Sequence, residues 1–414
     1  MVITHLSLTN FRNYGRLELA IPAGTTLLHG DNAQGKTNLL EAIYYLATSR
    51  SPYSDHDSQL INWEAEQADE PVVVGRITAQ LTSQTGSHQL EMRLIQERGR
   101  NGRNGQKSFR REALVNRQKV RLMDLLGNLR VVLFLPEDVQ LITGPPSSRR
   151  RYMDITLCQI DPIYCRTLSH YNKTLEQRNA LLRQLAEGSG SRDVLPIFTE
   201  KLVTQGSQIF ARRAEFLTNL ARQAQHIHYE ALTDGQETIR LNYLPRLTER
   251  ENGGQQDKSD LETTGEWLQK HQGDMKAIAA QFSQSLTDVQ LTDIQRGTTS
   301  IGPHRDDWEL TINGRKLSSY GSRGQQRSAV LALKLAEINW MEKRTGEKPI
   351  LLLDEVVAEF DEKRRALLLA YVQQSTQALL TATDPGMFPP DFMQQVTSMT
   401  VTKGQIHPDR LVEL

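Results

Sequence analysis

Gly30-Asp31-Asn32-Ala33-Gln34-Gly35-Lys36-Thr37 fits the pattern G-x-x-x-x-G-K-[ST], the Gly-rich loop that cradles phosphates. The two glycines let the backbone amides of residues 30 to 35 turn inward around an anion. Lys36 supplies a point charge to the outer phosphates, and Thr37 offers a hydroxyl to Mg²⁺. The context agrees with the motif. Thr25 to His29 is a short apolar run that reads as a strand, and Asn38 to Ala47 carries Leu39, Leu40, Ile43 and Leu46 at helical spacing. A strand, a loop and a helix in that order aim the helix N-terminus at the bound phosphates.

A nucleotide in such a loop needs a carboxylate to help hold its metal. Pro349-Ile350-Leu351-Leu352-Leu353-Asp354-Glu355 supplies an apolar strand ending in two acids, the form of a Walker B segment. Asp354 is the expected metal partner, with Thr37. Glu355 is the expected catalytic acid, orienting or deprotonating water while Lys36 holds charge. Lys36 and Asp354 stand 318 positions apart, so a large insertion must leave the core and return. Ser322-Arg323-Gly324-Gln325-Gln326-Arg327 precedes a helix. It resembles the S-G-G-Q signature of ABC-type ATPases, in which one subunit completes the nucleotide site of another. Ser322, Gly324 and Gln325 are the residues of interest there. The alternative is a plain helix start with Ser322 as its cap.

The periodicity around these motifs gives the organisation. Val2 to Leu8 and Leu17 to Ile21 alternate as strands, residues 72 to 121 read as antiparallel strands, and Arg130 to Leu135 reads as a buried strand. Gly99 to Gln106 is turn chemistry. Two long helices, about Asp161 to Glu187 and Asp193 to Thr233, flank a Gly/Ser turn and form an antiparallel hairpin. Residues 249 to 265 read as a mobile polar loop, with helix resuming over Glu266 to Leu286. Trp308 to Ile312 is a strand turned by Asn313-Gly314, Gln325 to Met341 and Asp361 to Gln373 are helices, and Ala378 to Ala382 is a strand. The expected fold is α/β, an ABC-type P-loop ATPase head with a mixed sheet flanked by helices and an antiparallel β subdomain. A mostly helical lobe carrying the hairpin is inserted in it. The expected divisions are 1–135 and 299–414 for the head and 136–298 for the lobe.

Composition bounds the partners. The 414 residues include 49 basic and 49 acidic side chains, so any nucleic-acid surface must come from local segregation of charge. Arg98, Arg100, Arg103, Lys107, Arg110 and Arg111 form such a cluster, continued by Arg117, Lys119 and Arg121 against the single acid Glu112. Duplex DNA is the expected partner of that run. Arg149-Arg150-Arg151 could serve nucleotide or the acids of the lobe equally well. Cys158 and Cys165 read as free thiols. No apolar run approaches the roughly 20 residues of a membrane span, and the first residues do not read as a secretory signal. The expected location is the cytoplasm.

At this point the chain resembles the RecF family, recombination and replication-repair ATPases in the SMC-like branch of the ABC ATPases. The resembling stretches are Leu8 to Tyr14, Gly30 to Ser51, Phe134 to Asp154, Thr299 to Asp307, Tyr320 to Ser328, Leu351 to Asp361 and Thr381 to Asp384. The resemblance implies ATP and Mg²⁺ as ligands and an ATP-dependent homodimer on duplex DNA or ss/ds junctions. It further implies recombinase loading with RecR- and RecO-type mediator proteins, and slow hydrolysis for release. By position it places Arg12 and Asn13 near the nucleotide, Gln140 on Mg²⁺, Ser322, Gly324 and Gln325 across the dimer, and Asp361 at the D-loop. The chain departs from the family pattern in Glu355, in Ala358-Glu359-Phe360-Asp361, and in Thr383 at the switch position. The alternative reading is an ATP-gated recruitment scaffold with negligible turnover.

Overall fold

The computed structural model describes residues 1–67, 70–98, 107–248 and 258–409. They form two compact units, 1–138 with 337–414, and 139–336.

The first unit is built on two sheets. In one, six strands run in the order Val131–Phe134, Ile350–Asp354, Gln377–Ala382, Gly24–His29, Val396–Thr402, Gln405–Pro408. The first five are parallel and the last closes an antiparallel hairpin. Every residue of Ile350–Asp354 and Gln377–Ala382 is buried. That explains their apolar runs, Ile350 to Leu353 and Ala378 to Leu380, since a parallel strand is covered on both faces. The strand carrying the Gly-rich loop and the strand carrying the two acids are separated only by Gln377–Ala382. Its residue Thr381 pairs with Asp354 and Ala382 with His29. Both motifs therefore leave the sheet at the same edge, where ligands of open α/β sheets bind.

The other sheet is antiparallel, in the order Tyr14–Ala20, Val2–Phe11, Val72–Ser83, Gly86–Arg98, Lys107–Val115, Gln118–Val120. The two sheets share one core, with Ile3, Leu6, Ile77, Met92, Leu352 and Leu379 all buried in it. A buried amide ties them: Gln377 Oε1 accepts from Ile3 N at 2.8 Å, and its Nε2 donates to Ile3 O and Pro22 O, each at 2.9 Å. The helix Lys36–Thr48 buries Leu39, Leu40, Ile43 and Leu46 in the same core.

The second unit holds the helices Pro162–Ala186 and Leu195–His226, which form the expected hairpin. Asp161 caps the first by accepting from Ile163 N and Tyr164 N. The helix Met275–Asp288 lies along the second, with Phe282 edge-on to Phe210 at 5.3 Å between ring centroids. A three-stranded sheet, Ile239–Leu244, Asp307–Ile312 and Arg315–Lys316, completes this unit. Asp307–Ile312 and the first part of the helix Arg323–Thr345 fall in this unit, whereas the sequence reading placed 299–414 with the head. The reason is the strand Ile239–Leu244, which that reading did not contain and which pairs with Asp307–Ile312 over its whole length.

Three further expectations are corrected. Residues 258–265 are not loop but the start of the helix Lys258–His271. Its Gly265 is a packing glycine: a Cβ there would sit 2.1 Å from Tyr243 O. Residues 249–257 lie outside the described residues. The helix expected over 266–286 is broken at Gln272-Gly273, and Asp274 caps the next helix by accepting from Ala277 N at 3.0 Å. Two strands after residue 395 were not expected at all. Among the described residues no helix is long and apolar enough to cross a membrane. Both cysteines are buried free thiols.

Candidate functional site

The Gly-rich loop owes its shape to two left-handed glycines and to its supports. Gly30 lies at φ +133° with no room for a side chain, since a Cβ would meet Val401 O at 2.6 Å. Gly35 lies at φ +116°, with the Asn13 amide against its missing Cβ. Two hairpin tips brace the loop from outside, both through Gln34. Asn13 Nδ2 and Gly404 N each donate to Gln34 O at 3.0 Å, and Lys403 N donates to Gln34 Oε1 at 2.7 Å. Tyr14 OH donates to Gly35 O at 2.9 Å. Asn13 is thus placed behind the loop as a brace, and Gln34 as the part that is braced.

Lys36 lies under the loop, only 3% exposed. Its Nζ donates to Gly30 O at 2.6 Å and Asp31 O at 3.0 Å, and lies 3.3 Å from Glu355 Oε1. The two backbone bonds hold the ammonium in the curve of the loop, while the ion pair is the contact an incoming phosphate would replace. Asp354 receives Thr37 Oγ1 at 3.0 Å, Thr381 Oγ1 at 2.7 Å and Tyr53 OH at 2.5 Å. Thr381 Oγ1 also accepts from Glu355 N at 2.9 Å. Glu355 sits at φ +52°, a strained conformation for a residue with a Cβ. A cavity of about 350 Å³ joins these groups, lined by Asn32 to Asn38, Tyr53, Pro136, Glu137, Asp354 and Glu355.

These residues fit a hydrated Mg²⁺ beside a polyphosphate. The donor set is a threonine hydroxyl and a carboxylate, hard oxygens of the kind Mg²⁺ takes. Among the described residues no group of three or more His, Cys, Asp or Glu could hold a metal alone. A site that draws its remaining ligands from phosphate and water needs none.

The other sequence-selected residues are placed as follows. Arg12, at φ +52° in a two-residue hairpin turn, gives its guanidinium to Glu41, with Nε and Nη2 each at 2.7 Å from a carboxylate oxygen. Asp361 caps the helix Glu362–Gln374 by accepting from Arg364 N at 3.0 Å. Gln140 is exposed at the start of the short helix Gln140–Thr143. Ser322 and Gly324 are exposed. Ser322 Oγ accepts from Gln325 N at 3.2 Å, and Gln325 Oε1 accepts from Ser322 N at 2.8 Å. This reciprocal pair is a capping box, so the plain helix-start reading holds at the level of local structure. A Cβ on Gly324 would meet nothing closer than Ser322 Oγ at 3.9 Å. Gln325 Nε2 is held by Glu237 Oε1 at 2.7 Å.

The basic cluster is partly neutralised. Arg110 pairs with Glu97 and Glu112, Lys119 with Glu112, and Arg111 with Asp57 at 2.7 Å. Arg100 and Arg103 lie outside the described residues, as do the side chains of Arg98 and Lys107. Of the triple arginine, Arg149 makes a two-pronged contact with Asp307 at 2.5 and 2.9 Å, and Arg150 Nη1 donates to Asp306 O at 2.7 Å. Both contacts lie within the second unit, one to a carboxylate and one to a backbone carbonyl. Sequence reasoning passed over Tyr53, Thr381 and Glu41. Thr381 was within reach of it, as the polar end of an apolar strand. Tyr53 sits in irregular chain, and nothing in its spacing announces its partner.

Comparison with known proteins places the chain in a family. The family model of the RecF/RecN/SMC N-terminal domain matches residues 2–407. The DNA replication and repair protein RecF of Chloroflexus aurantiacus is 41% identical, with 98% of this chain and 99% of that protein covered. That of Geobacillus kaustophilus is 34% identical over 98% and 99%. Among solved structures, the recombination mediator RecF bound to ATP, described as acting in the RecFOR pathway, is 30% identical with a TM-score of 0.79. It covers 98% of this chain and 97% of that one. With a family model along nearly its whole length and full-length relatives above 30% identity, this chain belongs to the RecF family of ATP-binding, ABC-type ATPase heads.

Proposed function

We propose that the chain is an ATP-dependent DNA-binding clamp of DNA repair, recombination and replication restart. ATP and Mg²⁺ would join two copies over duplex DNA or an ss/ds junction. RecR- and RecO-type mediators would then direct recombinase loading, and slow hydrolysis would release the clamp. The observation that carries this reading is the convergence of Lys36, Thr37, Asp354 and Glu355 on one cavity beneath the Gly-rich loop, in a chain similar to a RecF solved with ATP. The exposure of Ser322 and Gly324 supports the second half, because a residue that serves a neighbour's nucleotide must be on the surface.

In this mechanism the amides of residues 30–35 and the Lys36 ammonium bind the phosphates. Thr37 and Asp354 would hold Mg²⁺, which supplies charge neutralisation at the β- and γ-oxygens. Glu355, freed from Lys36 as phosphate takes the ammonium, accepts a hydrogen bond from the attacking water and aligns it. Ser322 Oγ and the Gly324 amide of the partner copy would meet the γ-phosphate. The basic run Arg98, Arg100, Arg103, Lys107, Arg110 and Arg111 would track the DNA backbone.

Two variants test the nucleotide assignment. Lys36→Ala is expected to abolish ATP-dependent dimers, and Glu355→Gln to accumulate them, both read by sedimentation. A Glu355→Gln protein that hydrolyses ATP at the parent rate would remove Glu355 from the role given to it. The Lys36–Glu355 ion pair favours a second reading, an ATP-gated recruitment scaffold with negligible turnover, because it engages the expected catalytic acid with the lysine of the loop. Phosphate release with and without DNA separates the two.

A further inference from the structure

Three hydroxyls approach Asp354, and they divide unequally between its oxygens. Thr37 Oγ1 and Thr381 Oγ1 both donate to Oδ1, at 3.0 and 2.7 Å. Tyr53 OH alone donates to Oδ2, at 2.5 Å. An ionised carboxylate offers about four lone-pair positions. With three taken, one acceptor position remains, and it is on Oδ2.

Tyr53 is not driven to this contact by packing. It is 41% exposed, so water could satisfy its hydroxyl equally well. Its backbone, however, is pinned from the other side. Tyr53 N and Ser54 N both donate to Ser51 Oγ at 2.9 Å, and Ser51 Oγ donates to Glu41 Oε1 at 2.5 Å. Glu41 in turn takes the two-pronged contact from Arg12. The half-buried Arg12 and the buried Glu41 and Ser51 thus form a polar chain whose last link sets where Tyr53 leaves the backbone. A phenol is protonated at neutral pH and an ionised carboxylate can only accept, so in this contact the Tyr53 hydroxyl is the donor.

We propose that Tyr53 is a positioning residue for Asp354: its hydroxyl fixes the rotation of the carboxylate and leaves one acceptor position on Oδ2 for a water of hydrated Mg²⁺. The inference rests on the reading of the cavity as a Mg²⁺–nucleotide site. Mg²⁺ keeps several of its waters when protein-bound, so a carboxylate that addresses it through water must be held still. Loss of such an outer partner typically weakens metal binding by about tenfold or more. The opposite role, a steric gate over the metal position, would make the metal bind more tightly once the hydroxyl is gone.

The test uses the full chain and Tyr53→Phe, which keeps the ring and removes only the donor. Binding of ATP is followed by calorimetry while Mg²⁺ is titrated, then repeated in EDTA. The expected result is an unchanged melting temperature, an unchanged affinity for ATP in EDTA, and a rise of about tenfold in the Mg²⁺ needed for half of the metal-dependent gain. A Phe variant that needs the same Mg²⁺ as the parent, or less, overturns the positioning role while leaving the nucleotide site intact. A parent protein whose ATP binding ignores Mg²⁺ overturns both.

Discussion

His304 shows how a single side chain in this chain answers to its surroundings. Its Nδ1 meets Tyr171 OH at 2.8 Å and its Nε2 meets Thr299 O at 3.2 Å. Burial foremost, opposed by the Thr299 carbonyl and reinforced by nearby arginines, lowers its pKa from 6.5 to about 4. The folded state therefore keeps His304 neutral where the unfolded chain would protonate it. That contribution to stability is complete above pH 6.5 and is lost as the pH falls toward 4. Two residues on, Asp306 runs the other way. Burial raises it from 3.8 to about 6, against the pull of Arg213, Tyr243 and the Arg246 amide. Its folded form holds a proton that the unfolded form has lost, so stability falls as the pH rises from 3.8 to 6. The two slopes oppose each other in the parent protein. His304→Gln removes only the histidine slope. The variant is expected to be less stable than the parent at pH 7.5, with the deficit shrinking by about 2 kcal/mol at pH 5. Urea unfolding at the two pH values measures it, and a deficit that stays constant would show that His304 does not titrate as described. Neither residue announced this role. The stretch Thr299 to Asp307 was singled out by resemblance, and its burial around Arg213 is a tertiary fact.

At the scale of elements, legibility followed burial. The strands Ile350–Asp354 and Gln377–Ala382 were readable because both faces are covered and each carries an unbroken apolar run, Ile350 to Leu353 and Ala378 to Leu380. The Gly-rich loop was readable because its chemistry demands a fixed spacing. The strand Ile239–Leu244 was missed because it has one partner strand nearly 70 residues away, Asp307–Ile312, and polar residues on its open face. Gly265 misled in an instructive way. Glycine amid polar residues suggests a loop, yet here it lets the helix Lys258–His271 approach the backbone of Tyr243. Gly265→Ala should gain up to about 1 kcal/mol of helix propensity and lose roughly 1–3 kcal/mol to overpacking against a carbonyl that cannot swing away. A net fall in melting temperature is expected. A rise would mean that the helix can slide off the strand at little cost. The basic cluster is a second case. Its charges were legible, but the pairing of Arg110 with Glu97 and of Arg111 with Asp57 was not, because Glu97 lies on the neighbouring strand and Asp57 in a turn far off in the sequence. Replacing Arg100 and Arg103 together by Gln should weaken duplex binding and reduce its dependence on salt by a logarithmic slope of about 2. An unchanged slope in a filter-binding titration would place the DNA elsewhere.

At the scale of the whole molecule, the proposed function asks two copies to share each nucleotide, and its parts are separable by mutation. Lys36 belongs to the copy that cradles the phosphates, and Ser322 to the copy that caps them. A dimer built from Lys36→Ala and Ser322→Arg subunits still contains one intact composite site, whereas each variant alone contains none. Sedimentation velocity of the two variants, separately and as an equimolar mixture with ATP and Mg²⁺, examines this arrangement directly. Each variant alone is expected to stay monomeric, and the mixture to form ATP-dependent dimers. Dimers of Ser322→Arg by itself, or a mixture that stays monomeric while the parent protein dimerises, would contradict it.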